Sequence, residues 1–222
     1  MTTHKNPIPS STPVQIPRGR PPLDDAARKR ILDATTAVFL ENGFERAATS
    51  EIARRARTSK QTLYALFPTK ADLFAGVISA HTEQLFSRHM HYIESGKPPR
   101  QALAEIGDML LAMFSAPTFL ALYRILVAEA NNFPDLARRL WSVCHERGNG
   151  LLAEYLKSRR IGGPAYRKSA AQFVSFVLGD FVLNAMLNPD IELSQRALRA
   201  RVRDAVTDFL RLHPARPSRK RA

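Results

Sequence analysis

From Asp24 onward the apolar positions recur at three- and four-residue steps, which is the period of a helix with one buried face. Ile31, Leu32, Thr35, Val38 and Phe39 predict a first helix, and Asn42-Gly43 predicts its end, glycine supplying the left-handed conformation of a helix stop. A short second helix is expected from Thr49 to Ala56, with Ile52, Ala53 and Ala56 inward, and Thr49 or Ser50 as its cap. Ser59 is placed to cap a third, whose inward residues Leu63 and Phe67 are four apart, and Pro68 stops it. Thr69 then opens a fourth, with Asp72 in its first turn, where a carboxylate favours the helix dipole. Longer helices follow near residues 70–95, 99–115, 117–131, 134–160, 164–187 and 193–212, separated by Gly-, Pro- or Asn-containing breaks such as "SGKPP", "NNFP" and "RIGGP". No stretch alternates with a period of two, so the predicted fold class is all-α.

Charge divides this helical string into unequal parts. The net charge is +13. Residues 18–71 carry 11 basic against 6 acidic side chains, whereas residues 72–210 carry 16 against 14. The last twelve residues hold five basic side chains and no acid. A basic head on a nearly neutral body is suited to a polyanionic partner. The expected organisation is a Pro/Ser/Thr-rich N-terminal tail over 1–17, a basic head over 18–71, a helical body over 72–212 and a basic tail over 213–222. No apolar run reaches the length of a membrane span, no secretion signal opens the chain, and a single cysteine, Cys144, fits a reducing compartment. A cytoplasmic location without membrane attachment is expected.

Helix, short helix, tight turn and a short capped helix form the layout of a helix-turn-helix. Since Leu63 and Phe67 point inward, Lys60, Gln61, Tyr64 and Ala65 fall on the outer side, a mix suited to a DNA major groove. The sequence goes further. "GF" (43–44), "EIARRA" (51–56), "SKQTLYALF" (59–67) and "TKADLF" (69–74) closely resemble the DNA-binding head of the TetR (tetracycline-repressor-like) family, and "RGRP" (18–21) resembles its basic arm. The resemblance covers about residues 18–78. "LYRILVAEANNFPDLARRLW" (122–141) resembles, more loosely, the regulatory part of one branch of these repressors. It implies an N-terminal three-helix DNA-binding domain followed by a helical ligand-binding and dimerisation domain.

By this resemblance Lys60 and Gln61 face base edges, with lysine donating to guanine and glutamine pairing with adenine, while Ala65 touches a thymine methyl. Thr62, Tyr64 and Lys70 match positions that hold the phosphate backbone. Arg18 and Arg20 are candidates for the minor groove or phosphates. Thr49, Arg57 and Ser59 complete the candidate DNA-contacting set. Three places depart from the family pattern. Ala47 stands where a capping Thr or Ser is usual, Leu66 where His or Tyr is, and Arg57 occupies the glycine position of the turn. A left-handed backbone there strains a side chain, and the same side chain is a possible phosphate contact.

The body carries stripes of Phe, Leu, Met and Ala, the usual material of a core. The resemblance implies that some of them line an apolar effector cavity. Phe114, Tyr123, Trp141 and Phe176 are candidate walls and Glu129 a candidate polar group. It also implies that the last two long helices meet their twin, with Val174, Val177, Leu178, Phe181 and Val182 as candidate interface residues; packing within one chain is the competing reading. The implied partners are a palindromic double-stranded operator, a small-molecule effector and a second copy of the chain. Catalysis finds no support. Cys144 and His145 are adjacent and diverge on a helix, and the histidines lack metal-ligand spacing. No cofactor, metal or enzymatic activity is expected. An interaction or nucleoid-binding module that no longer reads a specific operator is the alternative, on the strength of Arg57 and Leu66.

Overall fold

In a computed structural model of the chain, residues 25–93, 96–142, 147–188 and 194–214 are described. The predicted N-terminal tail, the arm with Arg18 and Arg20, Cys144 with His145, and nearly all of the basic C-terminal tail lie outside them. The described residues form α-helices and no strand, as the periodicity predicts.

The head is built from α1 (Asp25–Arg46), α2 (Thr49–Arg55), α3 (Lys60–Leu66) and the first turns of α4 (Lys70–Ile93). α1 is interrupted where the sequence places a stop: Gly43 has φ 73° and leaves the helical conformation before one more turn. That detour brings Phe44 back under the head, where its ring meets Phe39 at 5.6 Å and Phe74 at 5.7 Å. Phe39 and Phe74 are themselves 5.2 Å apart. Ile52, Leu63 and Phe67 are buried against this aromatic cluster. Fully burying a side chain of this size contributes roughly 1.5–3 kcal/mol, which is how two helices of seven residues stay helical.

The body comprises α5 (Pro99–Ser115), α6 (Pro117–Glu129), α7 (Pro134–Trp141), α8 (Arg147–Ser158), α9 (Tyr166–Leu178), α10 (Phe181–Leu187) and α11 (Gln195–Leu212). Its core centres on α5, with Leu103, Leu111, Phe173, Val177 and Phe209 fully or almost fully buried. One predicted long helix is in fact a pair. The helix expected over 134–160 is described as α7 and α8 on either side of residues 143–146, and the one expected over 164–187 breaks at Gly179, where φ is 39°. The break leaves helix-end carbonyls that Arg201 satisfies from α11. Its guanidinium donates to the Val177 carbonyl at 2.6 Å and the Leu178 carbonyl at 2.9 Å, and also to Asp180 at 2.8 Å. No single helix among the described residues is long and apolar enough to cross a membrane.

Head and body share packing. Leu122 of α6 and Leu136 of α7 are buried within the cluster formed by the head's residues. The first turns of α4 contribute Leu73, Phe74, Val77 and Ile78 to it.

Candidate nucleic-acid interface

Ser59 has extended backbone angles at the start of α3, and its hydroxyl accepts the Thr62 amide at 3.0 Å. The Ser59 and Thr62 hydroxyls are also 2.9 Å apart. This is the predicted cap. Leu63 and Phe67 point into the core, so Lys60, Gln61, Tyr64 and Ala65 stand on the exposed side. Tyr64 is 42% exposed. Its hydroxyl shares a 2.8 Å hydrogen bond with the hydroxyl of Thr49 on α2, which steadies a ring that its own helix leaves uncovered.

Thr49 is therefore not the cap that the sequence suggests. The cap position of α2 is Ala48, with no side-chain hydrogen bond, and Thr49 is the first helical residue. Glu51 stands in that first turn, where its charge favours the uncapped helix end. The sequence carries no signal for the Thr49–Tyr64 bond, because its two ends lie on different helices, fifteen residues apart.

The turn between α2 and α3 is closed by two backbone hydrogen bonds. Arg57 donates its amide to the Arg54 carbonyl at 3.2 Å, and Thr58 donates to the Ala53 carbonyl at 3.0 Å. This pair of bonds requires a left-handed residue just past the helix, and Arg57 supplies it with φ 53°. The expected left-handed backbone is thus realised, in a residue that carries a Cβ.

The arginines around the turn are not equivalent. Arg54 donates twice to Glu51, at 2.8 and 2.7 Å. Arg55 donates to Glu51 at 2.6 Å and to both oxygens of Glu41 at 2.6 and 2.7 Å. Hydrogen bonds from Arg54 and then Arg55 hold the Glu51 carboxyl down at about 2, and Arg55 likewise lowers Glu41. Arg57 stands exposed among the described residues with no such carboxylate. Of the three arginines around the turn, Arg54 and Arg55 are neutralised within the head. Lys70 is also engaged: its ammonium donates to the carbonyls of Glu45 at 2.7 Å and Ala47 at 3.4 Å, and lies 5.0 Å from the Phe44 ring centre. It closes the end of α1 and keeps one of its three N–H donors for a phosphate.

The body's candidate residues fare differently. Phe114 is buried, and its ring meets Tyr123 at 5.8 Å and Phe119 at 5.2 Å, as core aromatics do. Phe176 packs half-buried on the same core, and Glu129 accepts from Asn132. Trp141 is 62% exposed. A cleft of about 300 Å³ lies between α1 and α4 and one of about 160 Å³ between α5 and α11, and none of these five residues lines either. Sequence reasoning missed Tyr155, whose buried hydroxyl has no well-formed hydrogen bond among the described residues; burial pushes its pKa up, opposed by the nearby Arg159. Of the candidate interface residues, Val177, Leu178 and Phe181 are buried in the protomer's own core, with Val174 and Val182 packed on it. Those three face inward, while Val174 and Val182 keep part of their surface exposed. The outward apolar residues of α10 are Leu183, 60% exposed, and Leu187, 70% exposed. Among the described residues no group of three or more His, Cys, Asp or Glu side chains is arranged to hold a metal.

A capped seven-residue helix held by two inward anchors, presenting Lys, Gln and Tyr beside an unpaired Arg, defines a helix-turn-helix DNA-binding protein. Residues 31–77 match the tetR family of bacterial regulatory proteins, and residues 101–213 match the C-terminal domain of AefR-like transcriptional repressors. The chain belongs to the TetR family of transcriptional regulators. The transcriptional activator FasR of Mycolicibacterium smegmatis is 34% identical over 79 residues, 36% of each chain. The repressor KstR of the same organism is 34% identical over 76 residues, 34% of this chain and 37% of that one. The chain thus spans little more than a third of the length of these relatives. The nucleoid occlusion factor SlmA of Aliivibrio fischeri is 30% identical over 162 residues, 69% of this chain and 81% of that protein. Among solved structures, the flavonoid-responsive regulator FrrA superposes with a TM-score of 0.69 at 29% identity, covering 87% of this chain and all of that one. FasR and KstR are helix-turn-helix transcriptional regulators, one an activator and the other a repressor.

Proposed function

We propose that the chain is a homodimeric repressor that reads a palindromic operator through α3 and is released by a small apolar or amphipathic effector. The observation that carries the reading is the outer face of α3. Lys60 and Gln61 supply donors matched to guanine and adenine edges, and Ala65 fits a thymine methyl. Tyr64, Thr62, Ser59, Thr49 and Arg57 surround them as backbone contacts, and Arg18 and Arg20 extend the footprint into the flanking groove. One seven-residue helix reads few base pairs. Two copies about 34–36 Å apart read successive major grooves, which is why a dimer is needed. The working division is a head over residues 18–71 and an effector-binding and dimerising body over 72–212.

The apolar body of α5, α6, α8 and α9 is the region suited to an effector, and the Tyr155 hydroxyl, buried with no well-formed hydrogen bond among the described residues, is a polar group such a ligand would satisfy. An effector releases DNA only by binding the non-reading arrangement of the heads more tightly than the reading one. The test is fluorescence anisotropy with DNA from upstream of the gene, using wild type and Tyr64→Ala. Tight binding by wild type and its loss in the variant are expected; binding that survives the substitution refutes the reading. The long match to SlmA favours a second reading, a nucleoid-binding protein of low sequence preference. An excess of random duplex separates the two, since it displaces only the latter.

A further inference from the structure

We propose that α7 is a latch that holds the DNA-reading head in register with the body, with Arg139 as its positioning residue. The inference rests on the regulator reading above and concerns how α3 is aimed. Three residues of α7 and its cap, spaced three apart, all face the head. Phe133 meets the Phe44 ring edge-on at 4.8 Å, at the end of α1. Leu136 is buried in the head's own cluster. Arg139 donates to the Asp72 Oδ1 at 2.6 Å, in the first turn of α4. Residues three apart share a helix face, so this side of α7 is applied as one stripe.

Asp72 is the point where that stripe becomes informative. Its other oxygen, Oδ2, accepts the Thr69 amide at 3.0 Å and the Thr69 hydroxyl at 2.7 Å, while the Asp72 amide donates back to the Thr69 hydroxyl at 3.0 Å. One carboxylate therefore closes the α3–α4 junction with one oxygen and takes the body's guanidinium with the other. Thr69 follows the recognition helix by three residues, Phe67 being its cap. Moving α7 away from Asp72 withdraws the guanidinium that holds one oxygen of the group that fixes where α4 begins, and so alters the direction of α3 relative to the body. Burial pushes the Asp72 carboxyl up, but the Thr69 hydrogen bond and the Arg139 charge outweigh it and hold it below its ordinary value. A carboxylate so held stays charged and able to keep the latch shut at neutral pH.

The test compares wild type, Arg139→Ala and Arg139→Lys on a set of palindromic duplexes whose half-site spacing is changed one base pair at a time. A partly exposed ion pair contributes up to about threefold per head and so about tenfold for two. Arg139→Ala should bind the preferred spacing about tenfold more weakly and the neighbouring spacings as well as before, flattening the profile, and Arg139→Lys should restore its peak. An unchanged profile, or a uniform drop at every spacing, overturns the latch. Amide hydrogen exchange on the DNA-free protein supplies the second readout. Arg139→Ala should speed exchange at Thr69 and Leu73 selectively, and equal rates there overturn the proposal. If wild type binds none of the duplexes, the operator reading has failed, and the exchange result alone decides the latch.

Discussion

Replacing Arg57 by glycine should move stability and DNA affinity in opposite directions. At φ 53° the residue is left-handed, which costs a side-chain-bearing residue about 1–2 kcal/mol. Glycine relieves that strain but loses about 0.5–1 kcal/mol through its more flexible unfolded chain. The net gain is about 0.5–1 kcal/mol, because the backbone hydrogen bonds that close the turn, from Arg57 to Arg54 and from Thr58 to Ala53, are unaffected by the side chain. For a chain of this size that is a rise of about 2 °C in melting temperature. DNA binding should weaken, since Arg57 lacks the carboxylates that neutralise Arg54 and Arg55. One phosphate contact per head removes about 0.9 from the slope of log affinity against log salt, and two remove about 1.8. Over a fourfold rise in salt, the variant should lose about tenfold less affinity than wild type does. Calorimetry and anisotropy between about 50 and 200 mM salt measure both effects. A lower melting temperature would show that the side chain holds the turn, and an unchanged salt slope would show that it meets no phosphate; either result refutes the reasoning.

Ser59→Ala removes the cap of α3 and should cost about 1 kcal/mol, weakening DNA binding, while Ser59→Asp keeps the acceptor and should keep the fold in a thermal melt. The Glu51 carboxyl, at about 2 in the folded head against about 4.3 when unfolded, contributes stability that is complete above the unfolded value and is lost as pH falls towards 2. Its side-chain NMR titration should place the midpoint near that value, and an ordinary midpoint would mean that the Arg54 and Arg55 bonds are not formed in solution. Leu183→Lys together with Leu187→Lys should lower the self-association constant in sedimentation without lowering the melting temperature at high dilution, since both side chains already face outward.

The head was legible because its determinants are local. Ser59, Leu63, Phe67 and Pro68 lie within ten residues, and each acts on backbone or core at helical spacing. Arg57 was legible as a position, and the structure shows its backbone to be left-handed. What escaped depends on partners far along the chain. The break at Gly179 is made tolerable by Arg201, and Glu41 reaches Arg55 across fourteen residues. The apolar stripe of α9 and α10 names two possible faces, and only the packed chain shows Val177 and Phe181 turned toward α5 and α11. Leu183 and Leu187 belong to the same apolar run and point the other way.

The Arg201 guanidinium also bears on where the protein is able to bend. A corner between two helices is ordinarily a soft point, since its carbonyls exchange partners with water as it opens. At the α9–α10 corner both freed carbonyls are already held by a side chain rooted in a third helix, and a Cβ at Gly179 would sit 2.7 Å from that guanidinium. Opening this corner means stripping an arginine from three acceptors at once, so α9, α10 and α11 move as one block. The corner that a glycine break would make a hinge is in this way the joint at which three helices are bolted to one another.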